Sequence, residues 1–167
     1  MMWIGDFNLN EISLLIITLL AYVFVFFAPK KLKREVKLLS ILWGITVGIM
    51  FDFTIGGGLL DYYKENDTNH YELFDAAYYL LYGPFGYAYM YFYKKFRINK
   101  RTFGIYVIIW TVIGVLSQWM FTLLHIITYQ NGYQLAYSVP IFLFIQTVTG
   151  LLYELIALKY IPNKHLI

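Results

Sequence analysis

The stretch Leu38–Leu60, LLSILWGITVGIMFDFTIGGGLL, decides the fold. Its twenty-three residues carry one charged side chain, Asp52. At about 1.5 Å of rise per residue, such a helix crosses the ~30 Å hydrocarbon core of a bilayer. Along it, Gly44, Gly48, Asp52 and Gly56 recur every four residues and share one face. Small residues let a second helix approach closely, so this face is read as a helix-packing surface and Asp52 as facing protein. The run Gly56-Gly57-Gly58 weakens the helix at its far end.

Working outward, four more apolar stretches have spanning length: 12–28, 73–93, 103–128 and 138–158. The charges between them order the topology. Lys30, Lys31, Lys33, Arg34 and Lys37 lie between the first and second stretches, and Lys94, Lys95, Arg97, Lys100 and Arg101 between the third and fourth. Lys159 and Lys164 follow the fifth. A five-span arrangement puts all of these on one side and only Lys64 on the other. Asp6, Glu11, Asp61, Glu65, Asp67 and Glu72 then fall opposite the basic side. Basic loops stay in the cytoplasm. The expectation is therefore an all-α polytopic membrane protein, a single transmembrane domain of five helices, N-terminus outside and C-terminus cytoplasmic. The acidic leader and Pro29 directly after Ala28 argue for a retained first helix and against a cleaved signal peptide.

Composition agrees. Hydrophobic residues make up 60% of the 167-residue chain and charged residues 14%, well below the roughly 25% usual in soluble domains. The 17 tyrosines suit the membrane–water boundary. The absence of cysteine excludes disulfides, thiol catalysis and cysteine-held metal. The basic loops point to anionic lipid headgroups and not to nucleic acid.

Ionisable groups inside a membrane helix need a reason. Asp52 and Asp75 belong to the outer half. On the fourth stretch, Thr111, Gly114, Gln118, Thr122 and His125 recur at helical spacing and form a polar stripe. Asp52, Asp75, Gln118, Thr122 and His125 are therefore the candidate intramembrane polar cluster. Two readings stand open: helix–helix hydrogen bonding, or a site for a cation, a proton or a cationic solute. Pro84 is the candidate kink of the third helix. Glu154 lies within reach of Lys159 near the inner end. His70 and Asp75 match an H-x-x-x-x-D acyltransferase spacing, but the match is two residues long and falls on the outer side. No phosphate-binding loop, zinc motif or nucleophile elbow occurs, so no cofactor or metal is expected.

Two segments, DYYKENDTNHYELFDAAYYLLYGPFGYAYMYFYKKF (61–96) and LSQWMFTLLHIITYQNGYQLAYSVPIFL (116–143), are distinctive together. The ELFD start of the third helix, the Tyr-Gly-Pro-Phe kink and the Trp–His–Thr-Tyr run ending in YSVP resemble a family of small multi-spanning membrane proteins of Gram-positive spore-forming bacteria. The resemblance implies a bacterial cytoplasmic membrane location and carries no activity with it. The expected function is non-enzymatic: binding, sensing or an accessory role, with homo- or hetero-oligomerisation open through the glycine face. The alternatives are a small solute, cation or proton pathway through the Asp/His cluster, and a membrane-embedded lipid-modifying enzyme.

Overall fold

The computed structural model describes residues 8–65 and 73–160, together with the backbone but not the side chains of Leu73 and Tyr160. Five long helices account for most of it: α1 (Leu9–Phe27), α2 (Arg34–Thr54), α3 (Leu73–Lys95), α4 (Phe103–Leu123) and α5 (Ser138–Tyr160). Two short strands, β1 (Tyr63–Glu65) and β2 (Ile127–Tyr129), lie in the α2–α3 and α4–α5 connections. The expected all-helical architecture is present. Four of the helices, α1, α2, α4 and α5, are long and apolar enough to cross a membrane. Asp6, Asp67, His70, Glu72 and Lys164 lie outside the described residues.

Local chemistry sets the helix ends. Glu11 Oε2 accepts the Asn8 N–H at 2.7 Å across the first turn of α1. Ala28, held extended before Pro29, stops α1. The sequence carries α2 to Leu60, but the helix ends at Thr54, ahead of Gly56–Gly58. It also carries α4 to Thr128, whereas the helix ends at Leu123. There His125 adopts φ 55°, the Ile126 N–H bonds Phe121 O at 2.9 Å and the His125 N–H bonds Thr122 O at 3.2 Å. This is a Schellman closure with His125 in the left-handed position. Arg97 plays the same part after α3, with Ile98 N–H on Tyr93 O at 3.1 Å.

The helices alternate in direction around α3. Leu14 of α1 packs with Tyr78 in one cluster and Val25 with Tyr87 and Tyr91 in another, so α1 runs parallel to α3. Ser40 of α2 lies at Gly86 and Asp52 at Tyr79, so α2 runs antiparallel. On the other side, α4 sets Tyr106 and Trp110 against Tyr89 and sets Phe121 against Tyr78. The Tyr89 hydroxyl donates to Gln146 O of α5 at 2.7 Å, and the Tyr93 ring meets Tyr153. One end of the bundle therefore carries the strand ribbon and the other gathers the basic residues 30–37, 94–101 and 159.

The α2–α3 contact is the closest. A Cβ on Gly44 would overlap the Tyr82 carbonyl, and one on Gly86 would overlap Ser40 O and Gly44. Of the glycine face read from sequence, Gly44 and Gly48 are covered by α3 of the same chain, Gly48 under the Tyr82 ring, whereas Gly56 lies past the end of α2 and meets Asp52 and Tyr63 instead. Pro84 sits within an unbroken helical span. Lacking an N–H, it leaves Leu80 O without its usual partner. The Tyr22 hydroxyl of α1 donates to that oxygen at 3.0 Å.

The tyrosines correct a further expectation. Of the seven on α3, Tyr78, Tyr87, Tyr89, Tyr91 and Tyr93 are buried between helices. The Tyr106 hydroxyl likewise donates inward, to Tyr89 O at 2.6 Å. α3 is the most tyrosine-rich helix because it faces protein on most sides.

Candidate functional site

The ribbon organises one end of the bundle. β1 and β2 pair antiparallel, with Tyr63 opposite Tyr129, Lys64 opposite Thr128 and Glu65 opposite Ile127. An isolated two-stranded ribbon is marginal in water. Here Tyr63, Ile126 and Ile127 are buried against Leu14, Tyr78, Leu81 and Phe121. Beyond the ladder, the Gln130 and Asn131 side-chain amides each donate at 2.6 Å, to Asp61 Oδ1 and Asp61 O respectively. Asn131 and Gly132 both take positive φ in the adjoining turn.

Beneath the ribbon lies a group of acids. Asp52 is 4% exposed, and its Oδ2 accepts the Tyr79 hydroxyl at 2.5 Å. Glu65 reaches down from β1 and hydrogen-bonds Asp52. Asp75, also buried, lies near enough to act on Glu65 electrostatically. Two carboxyl groups hydrogen-bond each other only when one keeps its proton. Burial, and then the neighbouring Asp52 charge, push the Glu65 pKa well above the usual carboxylate range. The protonated form of Glu65 is therefore favoured beside Asp52. Its Oε1 is enclosed and has no hydrogen-bond partner among the described residues.

The sequence cluster is only partly assembled. Asp52 and Asp75 each lie near Glu65, a residue outside that cluster. Gln118 is buried elsewhere, beside Tyr133 at the cleft. Thr122 turns back to Trp119 O at 2.7 Å. His125 is exposed, beyond the end of α4, because its backbone closes the helix. Near the basic end, Tyr93 hydrogen-bonds Glu154. Glu65 was legible only as one more acid in a loop; no periodicity marks a residue that a strand pairing will carry inward. Among the described residues, no group of three His, Asp or Glu side chains is arranged to hold a metal ion.

Between α2–α3 and α4–α5 runs a cleft of about 140 Å³. Val47 and Phe51 of α2, Phe85 of α3, Ile113 of α4, and Phe142 and Ile145 of α5 make its walls. Toward the basic end, the Trp43 indole N–H donates to Thr149 Oγ1 at 2.9 Å and joins α2 to α5. Toward the ribbon, Tyr63, Tyr78, Tyr82 and Tyr133 border it, with Gln118 and Ser138. Tyr133 Oη and Ser138 Oγ are 2.9 Å apart, and Tyr82 donates to Tyr78 at 2.5 Å. Among the described residues, no Lys, Arg, His, Asp or Glu lines the cleft. The acids stand behind the tyrosine wall and not in the cleft. Such a surface can seat a hydrocarbon chain and hydrogen-bond a small polar group at one end.

No protein-family model matches the chain, and no curated protein or solved structure is detectably similar to it.

Proposed function

We propose that this protein crosses the bacterial cytoplasmic membrane five times, N-terminus outside, and is a non-enzymatic binding component that takes a hydrocarbon chain from the bilayer into the cleft. The observation that carries this reading is the cleft itself, walled mostly by apolar side chains, with Gln118, Tyr133 and Ser138 at the ribbon end and Gln146 and Thr149 toward the other. The alternating helix directions support the topology, since they gather the basic segments at one end, which the positive-inside rule makes cytoplasmic. The central placement of α3 explains how a tyrosine-rich helix serves as a span: its polar groups face neighbours and not lipid.

The topology is tested by single cysteines, because the chain has none of its own. Thr128→Cys is expected to react with an impermeant maleimide in intact cells, and Asn99→Cys only after lysis. The reverse pattern would overturn the orientation. Binding is tested by photolabelling in bilayers with a diazirine-bearing alkane. Labels are expected on Phe142 and Ile145, as well as on exposed positions such as Leu19 and Ile108. Val47→Phe, which intrudes on the cleft, is expected to cut cleft labelling at least threefold, on the order of a 0.7 kcal/mol change. Labelling of the exposed positions is expected to hold. Unlabelled cleft residues would remove the reading.

A proton or cation pathway has one observation in its favour, the Asp52–Glu65 hydrogen bond. The uncharged lining of the cleft beside it counts against a continuous route.

A further inference from the structure

We propose, resting on the cleft reading above, that the ligand is an uncharged single-chain amphiphile of the long-chain alcohol class. Its hydroxyl meets Gln118, Tyr133 and Ser138, and its chain runs along α5 toward Trp43.

Volume sets the number of chains. A cleft of about 140 Å³ is close to the ~150 Å³ cavity that holds one benzene. It takes a run of methylenes from one chain and leaves no room for two side by side. Ser138 and Thr149 mark its ends on α5, and the intervening helix rises about 16 Å at 1.5 Å per residue.

The head decides selectivity. Lipid tails are as apolar as the cleft walls, so moving a chain from bilayer to cleft gains little hydrophobic free energy. Preference among membrane molecules must come from the polar end. There the structure offers neutral partners. Gln118 is buried and borders the cleft beside Tyr133. A primary amide has two N–H donors and an acceptor oxygen to offer there. Tyr133 and Ser138 add two hydroxyls, 2.9 Å apart and both buried.

Charge excludes the common alternative. An anionic head at this end would be desolvated without a cation, since no Lys, Arg or His among the described residues borders the cleft. Asp52 and Asp75 are not among its lining residues. A cationic head would therefore meet neutral groups and lack a counter-charge as well. A hydroxyl, which donates and accepts, fits what is there.

The test compares four probes with one chain length in bilayer nanodiscs: dodecanol, dodecanoate, dodecyltrimethylammonium and dodecane. Adducts are counted by mass spectrometry of the released protein. Dodecanol is expected to exceed each of the others about five- to tenfold, the preference one net hydrogen bond supplies. Gln118→Leu is expected to bring dodecanol down to the dodecane level. Tyr133→Phe serves the same purpose where Gln118→Leu does not fold. Equal binding of dodecanol and dodecane would overturn the head-group assignment while leaving the cleft reading in place. Preferred binding of dodecanoate or dodecyltrimethylammonium would overturn the uncharged class. Binding of none of the four would remove the cleft reading and this inference with it.

Discussion

Glu65→Gln is expected to abolish the main pH dependence of the ribbon end. In the wild type, Glu65 keeps a proton that the unfolded chain would release in the ordinary carboxylate range. Its folded pKa lies above its unfolded one, so the folded state binds more protons between the two. Stability from this group is therefore fully present below the unfolded pKa. It falls as pH rises and is lost by the time pH passes the raised folded pKa. Each unit of difference contributes about 1.4 kcal/mol. The groups facing Glu65 are Asp52 from α2, Asp75 and Tyr79 from α3, and Tyr63 of its own strand. Ionising Glu65 would set a second negative charge against Asp52 and would break their hydrogen bond. The amide of Glu65→Gln cannot ionise and can still donate to Asp52. The variant should show faster amide exchange than wild type at neither end of the range, and slower exchange above neutrality at Tyr63–Glu65 and Ile127–Tyr129. Hydrogen exchange from pH 5 to 9, corrected for intrinsic rates, reads this directly. Parallel profiles for the two proteins would mean that no proton is shared between Glu65 and Asp52.

The second large effect is steric. Gly44→Ala and Gly86→Ala should each prevent stable packing of α2 on α3, at about 3 kcal/mol or more. The reason lies in what the added methyl meets. At Gly44 it meets the carbonyl of Tyr82, and at Gly86 it meets Ser40 O and the backbone of Gly44. Backbone within two packed helices cannot move aside as a side chain can. Gly48 and Gly114 provide the contrast, since their added methyls meet the rings of Tyr82 and Phe142. Alanine there should be milder. Gly104, on the first turn of α4 with open space around it, should accept alanine with a gain of up to about 1 kcal/mol. Thermal unfolding in detergent ranks the variants. A Gly44→Ala protein as stable as Gly104→Ala would refute the close α2–α3 contact.

Much of the fold is legible in the chain because membrane helices are local. Length and apolarity mark α1, α2, α4 and α5 without reference to any neighbour, and every backbone group of such a helix is satisfied within it. The four-residue spacing of Gly44, Gly48 and Asp52 identifies a packing face, since helical geometry alone puts those residues on one side; Gly56 keeps the spacing but lies past the end of the helix. That Pro84 deprives one carbonyl of its donor is likewise readable from sequence.

What filled those faces belongs to the tertiary structure. A helical period names a side of a helix and says nothing of what stands opposite. That Gly44 seats α3, that Tyr22 reaches Leu80 O, and that α3 is central with its tyrosines turned inward all depend on how the helices are placed. The candidate cluster divided for the same reason. Asp52 reaches Tyr79, one turn from Asp75, because α2 and α3 are antiparallel neighbours, while Gln118 lies beside Tyr133 across the cleft. His125 left the stripe because α4 closes at Leu123, a backbone decision that side-chain spacing does not register. Glu65 entered the site through a strand pairing between residues more than sixty positions apart. Helical length, apolarity and polar sides are local properties and so can be read along the chain. Non-local pairing and close backbone approach set which polar groups become neighbours and where a cleft is left between the helices.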